Sequence, residues 1–281
     1  MKLLVLVALG AALAFPAARA EEKPVNAGPY VPSPQSVVAD MLKLAEVGPQ
    51  DFVIDLGSGD GRIVLTAAKV FGARGFGVEI QDHLVKRSNE AARREGLAER
   101  VKFIAADLFK TDISQATVLT MYLLPHTVQM LKDKLLADLK PGTRVLSHDY
   151  PLAGWWPERT VTMDLEEKVA ISGVTTTVLY LYRVPAKVAG EWTATLPAAI
   201  SKAPVRLSLA TDRVTRVLGK ARIGGRDVLV EEGKVQGETL SFRLLANGRS
   251  YDFSGQVRGG EIKGTVAGGG ERVAWSAAGP R

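Results

Sequence analysis

Apolar residues recur along this chain with two different periods, and the change comes near Pro185. Over residues 36 to 184, helical and strand spacing alternate. In "SVVADMLKLAEV", Val37, Val38, Met41, Leu42 and Ala45 fall on one helical face. A short apolar strand (Phe52 to Leu56) comes next, then a helix (Arg62 to Phe71) and a strand (Gly75 to Ile80). A polar helix spans Asp82 to Glu95, with strands at Val101 to Ala105 and Thr117 to Tyr122. Pro125 opens a helix that "KPG" stops after Leu139, "TRVLSHDY" reads as a strand, and Thr160 to Val184 as an antiparallel pair. Strands alternating with helices predict an α/β fold, a doubly wound parallel sheet covered on both faces.

After Pro185 the spacing changes to period 2. "GEWTATL", "VRLSLA", "VTRVLGKARI", "RDVLVEEGK", "ETLSFRLL", "SYDFSGQV", "EIKGTV" and "RVAWSAA" are short alternating runs between Gly-rich turns. They predict an all-β antiparallel meander, a small barrel or a sandwich. If the sheet closes, Trp192 and Trp275 lie on neighbouring strands; otherwise they are two separate core aromatics. The expected organisation is a signal peptide over 1–20, a Pro-rich arm over 21–35, the α/β domain over 36–184, a linker over 185–190 and the β domain over 191–281.

The first segment, "MKLLVLVALGAALAFPAARA", has a basic start at Lys2, an apolar stretch to about Phe15 and a small-x-small end at Ala18-Arg19-Ala20. That layout predicts export to the periplasm or beyond, with cleavage after Ala20; an uncleaved anchor is the alternative. Removing Lys2 and Arg19 leaves 34 basic against 30 acidic residues, an excess of +4 on the formal charge. This suits contact with an anionic envelope surface through the β domain, and without a dense Lys/Arg block no nucleic-acid partner is expected. The chain has no cysteine, which rules out disulfides and thiolate metal sites. His83, His126 and His148 show no ligand spacing, so no metal is expected.

The chemistry concentrates in "VIDLGSGDGR", Val53 to Arg62, at the first strand-to-helix turn. Ligands of doubly wound sheets sit at the carboxyl ends of such strands. The glycines, Gly57, Gly59 and Gly61, run G-x-G-x-G, and Arg62 occupies the place where the dinucleotide fingerprint needs a small residue. Asp55 and Asp60 would oppose a pyrophosphate, at about 1 kcal/mol or more for charges ~4 Å apart. A cationic ligand meets no such repulsion. S-adenosylmethionine carries a sulfonium and an ammonium, and its carboxylate can take N–H groups at a helix start. Glu79 ends the second strand, where an acid accepts ribose hydroxyls, and Asp107 follows the third, placed for an adenine amine with Leu108 beside the ring.

Taken together, "PYVPSP", "VIDLGSGDGR", "GVEI" and "AADLF" resemble the class I, seven-β-strand methyltransferases. Residues 29 to about 150 are similar to the branch of small lysine methyltransferases of mitochondrial inner-membrane proteins and their bacterial relatives. The resemblance implies a Rossmann-like sheet of order 3-2-1-4-5-7-6 with the seventh strand antiparallel, and S-adenosyl-L-methionine as cofactor. It implies cofactor contacts from Asp55, Gly57, Gly59, Glu79 and Asp107; Ser58, Gly61, Ile80 and Leu108 flank them in the same motifs.

Methyl transfer is an in-line displacement that depends on alignment more than on acid–base work. The acceptor is expected near "TMYLLPH" and "SHDYP". There Tyr122 could orient an amine, or pack over the methionine moiety; Asp149 or His148 could take a proton, or His148 could simply end its strand. "YLLP" lacks the Asn/Asp-Pro-Pro-Tyr clamp of planar amides and base amines, whereas a lysine amine remains compatible. Tyr30 and Pro32 form a wall of the substrate channel or lie on the surface as a tail. The functional readings are an exported methyltransferase acting on protein lysine, a small-molecule methyltransferase, and a non-catalytic envelope protein acting through its β domain.

Overall fold

A computed structural model describes residues 30–279. The signal segment, its cleavage point at Ala20 and the start of the arm lie outside the described residues. Pro34 leads into helix α1 (Gln35–Leu44), which buries Val37, Val38, Met41 and Leu42, the face expected from their spacing. There follow β1 (Phe52–Leu56), α2 (Arg62–Phe71), β2 (Arg74–Glu79), α3 (Asp82–Arg94), β3 (Val101–Ala105), β4 (Val118–Met121), α4 (Pro125–Asp138) and β5 (Arg144–His148). After β6 (Arg159–Asp164), a 3-10 turn over Glu166–Lys168 and the short α5 (Val169–Ser172) lead to β7 (Thr176–Arg183).

The sheet order is β3-β2-β1-β4-β5-β7-β6. The first five strands are parallel, and β7 runs antiparallel to both β5 and β6. Side chains alternate across it: Val53 joins α1 and α2 on one face, while Ile54 and Leu56 join Val128, Leu131 and Leu135 of α4 on the other. Burial on both faces explains why the strands read as unbroken apolar runs.

The second sheet comprises β8 (Gly190–Thr195), β9 (Val205–Asp212), β10 (Arg216–Ile223), β11 (Arg226–Leu229), β12 (Glu231–Gln236), β13 (Thr239–Ala246), β14 (Arg249–Arg258), β15 (Glu261–Gly268) and β16 (Glu271–Ala278). Pairing of β9 with β10 closes it into an eight-stranded antiparallel barrel, with β11 as a side strand on β10. "RDVLVEEGK", read as one strand, divides at buried Val230: Arg226–Leu229 and Gly233–Lys234 both pair with β10, but one residue out of register with each other. Trp192 and Trp275 do lie on neighbouring strands, β8 and β16. Inside, Phe242 stacks on Phe253 at 4.7 Å, and Trp275 meets both edge-on at 5.6 and 5.2 Å. Among the described residues, no helix is long and apolar enough to cross a membrane.

Candidate active site

The loop after β1 is held by its glycines. Gly57, Gly59 and Gly61 have φ of +77°, +53° and +81°, the left-handed region that L side chains avoid. Space excludes side chains as well: a Cβ on Gly59 would sit 2.5 Å from the Tyr30 ring, and one on Gly61 2.6 Å from Phe103. The close helix-to-sheet contact is therefore made at Gly61. Arg62 points away from it, with Nη2 2.6 Å from Asp60 and Nη1 donating to the Ser33 carbonyl at 2.7 Å.

This corrects one expectation. Asp60 does not confront the ligand as a free charge, because Arg62 neutralises it through two side-chain hydrogen bonds. Burial pushes the Asp60 carboxyl up, but Arg62 and the Tyr30 hydroxyl outweigh burial and hold it below the usual range.

The acids left at the strand ends are Asp55 and Glu79, 2% and 7% exposed. Burial raises Asp55 to about 7; the Thr120 hydroxyl, donating at 2.7 Å, pulls it down, and the charges of Glu79 and Asp60 push it up. A carboxylate so buried, without a cation partner among the described residues, fits a cationic ligand group. Glu79 is more heavily engaged. Its Oε1 accepts from Ile80 and Gln81 N–H at 2.9 Å each, and Oε2 from Gly59 N–H at 3.0 Å. Of about four acceptor positions on a carboxylate, one remains for a ribose hydroxyl. Buried Ser58 Oγ has no hydrogen-bond partner among the described residues. Asp107 caps its own turn through Oδ1, which accepts Phe109 N–H at 2.8 Å. Leu108 is buried in the core beside Leu123.

At the ends of β4 and β5 the rings of Tyr122 and His148 stack, with centroids 3.9 Å apart. Burial, followed by the charge and hydrogen bond of Asp149, raises the Tyr122 hydroxyl well above its usual range. His148 is fully buried; burial lowers it to about 4, against an upward pull from Asp149 and a further downward push from Lys168. His148 Nδ1 shares a 2.9 Å hydrogen bond with Ser33 Oγ, while Nε2 has no hydrogen-bond partner among the described residues and lies 3.7 Å from Asp149 Oδ1. Asp149, at φ +64°, spends its oxygens on Lys168 Nζ at 2.6 Å and Val178 N–H at 3.1 Å. His148 is therefore not poised to take a proton near pH 7.

The described part of the arm spans this site. Tyr30 covers Gly59 and Asp60, and Ser33 joins Arg62 to His148, tying the glycine loop to the end of β5. Tyr30 is 36% exposed, and Pro32 sits half-buried between the two anchors. Sequence reading missed Ser33, Thr120 and Lys168. Thr120 was findable, since sheet order 1-4 places it level with Asp55. Lys168 carried no local signal.

Fold and strand-end acids together define a nucleoside-binding doubly wound enzyme. Residues 55–159 match the family model of the ANTKMT methyltransferase domain. Over 137 residues the chain is 44% identical to a protein-lysine N-methyltransferase of Saccharolobus islandicus, covering 48% of this chain and 85% of that protein. It is 37% identical over 133 residues to the adenine nucleotide translocase lysine N-methyltransferase of Mus musculus, covering 47% of this chain and 58% of that one. The chain thus spans a little over half the length of the mouse relative. A crystal structure of an RNA methyltransferase from Salinibacter ruber with S-adenosyl-L-homocysteine is 47% identical and superposes with a TM-score of 0.51, covering 56% of this chain and 96% of that one. The chain belongs to the class I S-adenosylmethionine-dependent methyltransferases, in the lysine methyltransferase branch.

Proposed function

We propose that this enzyme methylates lysine side chains of a protein. The observation that carries the reading is the 44% identity to a protein-lysine N-methyltransferase along 85% of its length. When bound, the cofactor supplies an electrophilic methyl group on a sulfonium. Asp55 is assigned to its ammonium and the open position of Glu79 to a ribose hydroxyl. Asp107 is assigned to the adenine amine, between Ile80 and Leu108.

Tyr122 is the polar side chain assigned to orient the incoming amine, with Tyr30 and Pro32 as a channel wall. The lysine nitrogen forms the new bond to carbon, the carbon–sulfur bond breaks, and the nitrogen's extra proton leaves to water. No protein base is required, in keeping with the engaged Asp149 and the neutral His148.

Transfer of labelled methyl groups to a lysine-rich protein, to the same protein with its lysines acetylated, and to RNA tests this. Label on the unblocked protein alone supports the reading. Label on RNA alone replaces it with the activity described for the Salinibacter ruber protein. The segment from Met1 to Ala20 supports the further reading that the enzyme is exported; fractionation with N-terminal sequencing checks it, and an intact cytoplasmic Met1 refutes it.

A further inference from the structure

A cleft of about 560 Å³ opens between the two sheets, lined by Trp156, Glu158 and Arg183 on one side and by Arg213, Arg216 and Lys234 of the barrel on the other. Its volume lies within the range of roughly 300–1,000 Å³ usual for small-molecule sites. Arg183 ends β7 opposite Arg144, the first residue of β5, whereas His148 ends β5. The cleft is therefore at the other end of the sheet from the methyl-transfer site. Seven of its eleven lining residues come from the barrel, beyond the stretch matching the family.

The lining charges do not cancel. Glu158 pairs with Arg183 at 2.8 Å, Glu232 with Arg243 at 2.8 Å, and Arg216 with Asp212 at 3.3 Å. Arg213 and Lys234 have no carboxylate partner among the described residues, yet they line one volume from two different segments, the β9–β10 turn and β12. Irregular backbone places both. Arg213 has φ +59° and Glu232 φ +51°, and the bulge between Glu231 and Lys234 resets the direction of β12. Two backbone bonds between the sheets fix the walls, Val214 N–H to Gly154 at 3.2 Å and Ala186 N–H to Gly237 at 2.7 Å. Trp156 is 63% exposed here, while its neighbour Trp155 is 3% exposed. An exposed indole face beside unpaired cations suits a ring that carries an anion.

We infer that this cleft binds a small phosphate monoester with a flat ring, the phosphate between Arg213 and Lys234 and the ring on Trp156. A phosphate monoester carries close to two negative charges at neutral pH and matches two unpaired cations; a carboxylate brings one.

The test uses the full chain and phenyl phosphate as probe, followed by calorimetry and tryptophan fluorescence with S-adenosylhomocysteine present to occupy the other site. Inorganic phosphate lacks the ring, and benzoate lacks one charge. Phenyl phosphate is expected to bind at least about tenfold more tightly than either, and the double variant Arg213→Ala/Lys234→Ala to lose about tenfold or more. Trp156→Leu is expected to abolish both the fluorescence change and the advantage over inorganic phosphate. All variants should keep wild-type melting temperatures and S-adenosylhomocysteine affinity, which separates this site from the methyl-transfer site. Equal affinity in wild type and double variant, benzoate binding as tightly as phenyl phosphate, or displacement of the probe by S-adenosylhomocysteine overturns the inference.

Discussion

Replacing Asp55 with Asn isolates the charge at the centre of the cofactor site. The side chain is 2% exposed, and Asn keeps an oxygen to accept the Thr120 hydroxyl, so packing changes little. Burial raises the carboxyl from 3.8 to about 7. Between those values the folded protein binds a proton that the unfolded chain has released. Stability from this group is thus full below the unfolded value, declines as pH rises through the window, and levels off above about 7. The linkage integral gives a loss of about 2–3 kcal/mol between pH 5 and pH 8 in the cofactor-free protein. His148, lowered to about 4, acts in the opposite sense, its contribution growing as pH rises from about 4 to 6.5. The difference between wild type and Asp55→Asn removes that term.

Urea melts at pH 5 and pH 8 measure it: the variant should match wild type more nearly at pH 5 and exceed it by about 2–3 kcal/mol more at pH 8. Cofactor titration gives the complementary sign. Wild-type affinity should strengthen as pH rises through about 7, because the carboxylate becomes available to a cation, while the variant binds weakly and with little pH dependence. If both proteins share one pH slope in stability, or if the variant binds as tightly as wild type at pH 8, the electrostatic account of the site is wrong.

Further outcomes follow from the surrounding contacts. Gly59→Ala forces a side chain into φ +53° and onto the Tyr30 ring, and should cost about 1–3 kcal/mol in a thermal melt, with weaker cofactor binding by calorimetry. Lys168→Met leaves Asp149 without its 2.6 Å ammonium partner, and urea unfolding should show a loss of about 3–5 kcal/mol; a loss under 1 kcal/mol would mean the pair is solvated. Initial methylation rates on lysine acceptor should climb with pH from about 7 to 9, as free amine increases, without a plateau near 6.5. A plateau there would assign a base that the neutral His148 does not supply.

Much of the architecture was legible from local pattern. The alternation of periods marked the first five strands and the helices after them to within a residue or two, and the last antiparallel pair as one block without its connecting turns, because each element's buried face has to repeat with its own geometry. The glycine spacing marked the loop, since each of Gly57, Gly59 and Gly61 occupies a backbone region closed to other residues. Asp55 and Glu79 were legible as strand-end acids. Asp60 was misread because its sign was visible and its partner was not: Arg62 was weighed only for its bulk.

Long-range pairing decided the rest. Whether the β domain closes depended on β9 meeting β10 in register, a matter of strand twist and turn geometry across the whole meander. Lys168 reaches Asp149 across 19 residues, and Ser33 reaches His148 across 115, contacts that no periodicity encodes. The titration of Asp55 and His148 was equally out of reach, because it is set by how completely water is excluded. Residue identities and spacing thus settled which local shapes and charges were available. Only packing in three dimensions settled which charges stay exposed to a ligand, which are neutralised, and where a cleft opens between the sheets, because desolvation and distant pairing are properties of the folded whole.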